Sequence, residues 1–130
     1  MSFYNNLLES SNNNVKPLTW KQWGVLIGKL STKEKKDFMS VLVKDLLADA
    51  KDIKDSKDSL DDWYKELLID IGLVDNCKTW FKAMSRLDKE EKKDFEELTV
   101  FELLKDASLI EKNNSGDSYA QILVDIDLVK

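Results

Sequence analysis

The sequence predicts an all-α fold: two tandem copies of a three-helix unit packed into one compact helical domain. Three observations carry that expectation. Only four glycines and one proline, Pro17, interrupt the 130 residues, which favours long helices over short strands and tight turns. Apolar residues recur at the i, i+3, i+4 spacing of one helix face, with Lys and Asp between them. The chain also repeats itself, with a period of about 57 residues.

Trp23–Ala50 aligns with Trp80–Ala107 without a gap, at an offset of 57. Identical pairs include Trp23 with Trp80, Leu30 with Leu87, and Glu34-Lys35-Lys36-Asp37-Phe38 with Glu91-Lys92-Lys93-Asp94-Phe95. Val43, Leu46, Leu47, Asp49 and Ala50 match Val100, Leu103, Leu104, Asp106 and Ala107. A second block follows at an offset of 55, pairing Tyr64 with Tyr119, Leu68 with Leu123, Asp70-Ile71 with Asp125-Ile126, and Leu73-Val74 with Leu128-Val129. Two blocks in one order point to a duplication, and the two-residue difference falls in a polar stretch where loop length costs little. The expected division is an N-terminal arm and linker over 1–17, one unit over 18–74 and the other over 75–130.

In order along the chain, Phe3, Tyr4, Leu7 and Leu8 make one face of a short helix, expected to dock on the body through the polar linker Ser10–Asn14. The first helix of the unit starts near Thr19, where Thr19 and Gln22 have capping-box spacing just after Pro17, and runs through Trp23, Ile27 and Leu30. The second starts at Ser31 with Glu34 three residues on, and Asp88 with Glu91 repeats that cap with a different residue of the same chemistry. It carries Phe38, Val41, Leu42, Leu46 and Ala50 as one stripe. The third is introduced by Ser59 and Asp62 and carries Trp63, Tyr64, Leu67, Leu68 and Ile71. Its copy, Tyr119–Val129, alternates at Val124, Ile126 and Leu128, so a strand competes there, and the repeat decides for helix.

Composition limits the functions open to such a fold. One cysteine, Cys77, makes no internal disulfide, so a reduced, cytoplasmic setting is expected. Met1–Val15 has no basic region followed by an apolar run, and no apolar stretch approaches the roughly 20 residues that span a bilayer, so no membrane partner is expected. The net charge is −5 and Arg86 is the only arginine, which argues against phosphate recognition by nucleic-acid binding. Lys33–Asp37 accordingly reads as a solvated helix face. The alternative function is a nucleic-acid-binding regulator, whose form would be a helix-turn-helix made of the first two helices.

Catalytic chemistry has little to stand on. The chain has no histidine, which removes the commonest general base and imidazole ligand. Cys77 follows Asp75 and Asn76 and aligns with Trp20, so it reads as a packing residue. A calcium loop starting at Asp55 would place Glu66 twelfth, but Lys57 and Leu60 occupy the third and sixth positions, where Asp or Asn and Gly are required. Glycine-rich phosphate loops are absent. No cofactor, no metal and no enzymatic activity are expected.

Positions where the copies differ carry what function the sequence shows. Val25 faces Lys82, Met39 faces Glu96, Trp63 faces Ser118, Phe81 faces Gly24, Phe101 faces Lys44, and Trp20 faces Cys77. Such residues either bury the seam between units or form an exposed patch, and they can equally close a homodimer. Trp20, Trp63, Met39, Phe81 and Phe101 are the candidate protein-binding residues, because large aromatic and Met side chains dominate interface energetics. The expected function is a non-enzymatic intracellular protein-binding module, an adaptor, inhibitor or regulator of viral, phage or immunity type, that engages another protein through a helical surface.

Overall fold

The computed structural model describes residues 17–57, 59–113 and 117–129, so the expected arm falls outside the described residues. Among these residues there are eight helices and no strand: α1 Trp20–Ile27, α2 Thr32–Met39, α3 Val43–Lys54, α4 Asp62–Asp70, α5 Leu73–Met84, α6 Lys89–Glu96, α7 Val100–Asn113 and α8 Ser118–Asp125. No helix of the described residues is long and apolar enough to cross a membrane. The all-helical expectation holds, but α8 takes only the first part of the stretch where a strand competed: it ends at Asp125, and Ile126–Val129 is neither helix nor strand.

The expected three-helix unit needs correction. The stripe from Phe38 to Ala50 is divided between two helices, so each half of the chain contributes four. After Met39 the Ser40 hydroxyl donates to the Asp37 carbonyl at 2.9 Å, and Leu42 takes extended backbone, φ −78° and ψ 150°. In the second half Thr99 caps the new helix: its N–H donates to Glu102 Oε1 at 3.0 Å, and the Glu102 N–H donates to Thr99 Oγ1 at 3.1 Å. The caps read at Thr19, Ser31 and Asp88 are present, whereas the third helix starts after Asp61 with no side-chain cap, in place of the expected Ser59 and Asp62. Ser31 accepts from the Glu34 N–H, Asp88 from the Glu91 N–H, and the Thr19 N–H donates to Gln22 Oε1.

The break builds the seam. Leu42 and Thr99, counterparts at the offset of 57, face each other in an isolated antiparallel bridge. The Val43 N–H donates to the Leu98 carbonyl at 2.8 Å, and the Val100 N–H donates to the Val41 carbonyl at 2.9 Å. Each bond is the counterpart of the other, so the halves meet through one surface used twice, as in a two-fold interface. Trp23 and Trp80, also counterparts, stack with centroids 6.0 Å apart and planes 27° apart. The long helices cross over: α3 packs on α5 and α6, while α7 packs on α1 and α2. One core runs through both halves, with Trp23, Phe38, Leu46, Leu68, Met84, Leu103 and Leu123 fully buried in it.

The start of α1 and the stretch after α8 meet in the same pattern. Gly72 and Asp127, counterparts at the offset of 55, both have left-handed backbone, φ 79° and 64°. After Gly72 the chain continues as Leu73-Val74 into α5, so the unit boundary expected at 74/75 falls inside that helix. After Asp127 come Leu128 and Val129, both buried, and the Leu128 carbonyl accepts from the Trp20 N–H at 2.9 Å. The end of the second half thus stands before α1 as Leu73-Val74 stands at the start of α5. The Leu128 carbonyl thus takes up a backbone N–H at the start of α1, which at eight residues is shorter than the twelve-residue α5.

Candidate functional site

Each half holds a cleft beside one buried aromatic group. In the first, Phe38 of α2 meets Tyr64 of α4 edge to face, centroids 6.1 Å apart, and the Tyr64 hydroxyl donates to Asp49 Oδ2 of α3 at 2.6 Å. In the second, Phe95 and Tyr119 also lie 6.1 Å apart, and the Tyr119 hydroxyl donates to Asp106 Oδ2 at 2.8 Å. Burial, reinforced by these carboxylates, raises both tyrosine pKa values above the ordinary range. Burial also raises the Asp49 pKa, aided by the charges of Asp45 and Asp52 and opposed by the Tyr64 hydrogen bond. A neutral tyrosine donating to a carboxylate is a structural tie here, because the donor is held far from ionisation.

The clefts themselves differ. The first, about 580 Å³, runs from the break between α2 and α3 to the start of α4. Asp37, Asp45, Asp49 and Asp61 line it, with Val41, Leu42, Leu60 and Trp63 as apolar surface, and no lysine or arginine contributes. The second, about 270 Å³, is lined by Leu87, Glu91, Asp94, Phe95, Leu98, Asp117, Ser118 and Tyr119. Of its polar side chains Glu91, Asp117, Ser118 and Tyr119 are already engaged. The Ser118 hydroxyl donates to Glu91 Oε2 at 2.8 Å, and Asp117 caps α8 by accepting from the Ala120 N–H. Where the first cleft has an indole and four carboxylates, of which Asp49 alone accepts a hydrogen bond from Tyr64, the second has a small hydroxyl already engaged. Among the described residues no group of three His, Cys, Asp or Glu side chains could hold a metal.

The five candidate binding residues lie on five different helices. Trp63 is half-buried, meets Tyr64 edge to face at 5.7 Å, and lines the first cleft. Trp20 is half-buried against the core, with Lys21 Nζ 5.7 Å from its ring centroid and its Nε1 buried without a hydrogen-bond partner. Met39 is half-buried against the same core. Phe81 and Phe101 are 41% and 54% exposed, on α5 and α7 respectively, so neither fills the seam. Of the other unmatched residues Val25 is exposed too. Sequence reasoning missed the four aspartates beside Trp63. Asp37, Asp45 and Asp49 lie at helical spacing on either side of the break, and an unbroken helix carries no cleft for them to line.

Compared with known proteins, the chain matches no protein family, no curated protein and no solved structure.

Proposed function

We propose that the chain is a non-enzymatic protein-binding module, an adaptor, inhibitor or regulator, that holds a basic segment of its partner in the Trp63 cleft. The observation that carries this reading is the make-up of that cleft: four aspartates, one half-buried indole and no cation of its own. A Lys or Arg side chain suits such a surface, with its apolar stem on the ring and its charge among the carboxylates. The acidic balance of the whole chain, −5, adds attraction at a distance and speeds encounter with a basic partner. The matched halves support a duplication of one helical unit, of four helices rather than three, in which one cleft of the pair has taken on the binding role.

The test is a tagged pull-down from native lysate at low and high salt, with partners identified by mass spectrometry. Trp63→Ser is the informative variant, because serine stands at the counterpart position 118 and the fold accommodates it there. One stoichiometric protein partner, lost in Trp63→Ser and weakened by salt and by Asp45→Asn with Asp61→Asn, is the expected result. A partner retained by all variants would remove the cleft from the reading, and recovery of nucleic acid alone would replace the reading with the regulator.

A further inference from the structure

A third, smaller cleft, between a helix of each half, is informative because the matching place between the counterpart helices holds an indole. About 150 Å³ of open space lies between α3 and α5, lined by Lys51, Lys54, Asp55, Cys77, Lys78 and Phe81. Cys77 is buried at 2% exposure, with its thiol directed to the Val74 carbonyl at 3.6 Å. The matching place lies between α1 and α7, and the counterpart of Cys77 there is Trp20. Lys21, the counterpart of Lys78, sits over the Trp20 ring, and its ammonium approaches Glu111 at 3.9 Å. Glu111 is in turn the counterpart of Lys54. The matching helix pairs, each formed across the two halves, therefore close over an indole at one place and over a thiol at the other. Phe81, opposite Gly24, restores only part of the lost ring, since it remains 41% exposed.

The rim has changed with the interior. Around Trp20 the cation Lys21 is matched by the anion Glu111. Around the open cleft the same two positions are Lys78 and Lys54, with Lys51 added where the other half has Ser108. Asp55 is the only acid lining it, and none of the three lysines is in an ion pair among the described residues. A hole of this volume accommodates a benzene-sized ring in an otherwise sound protein core. Two like charges at the mouth, where the counterpart pair is neutral, call for an anion.

We propose that the cleft between α3 and α5 binds a small flat aromatic anion, its ring seated against Cys77 and Phe81 in the space that Trp20 fills at the matching place, its carboxylate held by Lys54 and Lys78. The site is separate from the Trp63 cleft, so its test stands apart from that of the protein partner.

The probe is indole-3-acetate, titrated into the full-length ¹⁵N-labelled protein, with indole and tryptamine as the neutral and cationic forms of the same ring. Saturable shifts at Cys77, Phe81, Lys51, Lys54 and Lys78 are expected with indole-3-acetate, with indole bound about fivefold more weakly and tryptamine more weakly still. Cys77→Trp fills the hole and Lys54→Glu restores the neutral rim, and each is expected to weaken binding about tenfold while the helical circular dichroism is unchanged. Should Cys77→Trp fail to fold, the surface change Lys54→Glu decides alone. The proposal is overturned by an absence of saturable shifts at millimolar indole-3-acetate, by shifts confined to another cleft, by equal binding of the three probes, or by full affinity in Lys54→Glu.

Discussion

The two halves of this chain share the frame that ties their helices together and differ at the walls of their clefts. Phe38, Tyr64 and Asp49 repeat in Phe95, Tyr119 and Asp106 with edge-to-face angles of 62° and 65° and hydroxyl bonds of 2.6 and 2.8 Å. All six are residues the halves share, and together they tie each pair of helices to the next. Immediately outside this shared frame the identities part. Trp63 stands against Ser118 at one cleft, and Cys77 with Phe81 stands against Trp20 with Gly24 at another. Packing at crystal-like density leaves little freedom inside, whereas a change at a cleft wall alters what the surface can hold without disturbing the backbone beneath it.

The seam gives the comparison its most severe test. Trp23 and Trp80 are 2% and 3% exposed and stacked on one another, so truncating either leaves a void in the shared core. Trp23→Ala and Trp80→Ala are each expected to cost about 3–5 kcal/mol in urea denaturation followed by far-UV circular dichroism. Because both changes remove the same stack, the double variant should lose less than the sum. A strongly unequal pair of single costs would break the comparison, since a surface used twice must weaken equally from either side.

Of intermediate size is the tyrosine tie. Tyr64→Phe and Tyr119→Phe each remove one donor from a half-buried carboxylate, at an expected cost of about 1 kcal/mol. The effect carries a pH signature whose sign follows from the raised pKa values. The folded chain keeps a phenolic proton that the unfolded chain gives up near pH ~10, so the contribution is whole below that pH and falls as pH rises beyond it. Stability of the wild type should decline steeply above pH ~10, and the double Phe variant should decline less. Parallel curves for the two would show that the tyrosines are no more protected than in the unfolded chain.

Much of this frame was legible in the sequence, because a gapless repeat of apolar and capping residues states the helix faces twice. The caps at Ser31 and Asp88 and the helical reading of Ser118–Asp125 rest on that redundancy. The break in the long stripe was not read, although the second half marks it: Thr99 and Glu102 have capping-box spacing in the middle of the expected helix. The first half hides the same break, since Leu42 and Asp45 at the matching positions make no such cap. Apolar periodicity survives the break because Val41 and Leu42 remain half-buried in the bridge that joins the halves. The clefts were out of reach for the same reason, as they open at the break and at a seam whose partners are far apart in sequence. Trp63 stands out in the sequence because it lacks a counterpart, whereas nothing in the sequence pattern separates the aspartates around it from ordinary solvated charges.

The smallest expected effect concerns the one arginine. Arg86 Nη1 lies 3.0 Å from Asp125 Oδ2, with side chains 62% and 24% exposed, and Gln121 donates to the other oxygen of the same carboxylate at 2.9 Å. The counterparts, Lys29 and Asp70, carry the same charges yet form no ion pair among the described residues. The first half thus serves as an internal control in which the α-helical frame is kept without the bridge. Exposed pairs gain little in high dielectric and are screened by salt, so Arg86→Ala is expected to cost about 0.2–1 kcal/mol at low salt and less at 1 M. Lys29→Ala should cost nothing measurable beside it. A loss of several kcal/mol at Arg86 would mean that α8 is held on α5 by charge in the second half, whereas Ile122, Leu123 and Ile126, all nearly fully buried, already account for that contact through apolar burial.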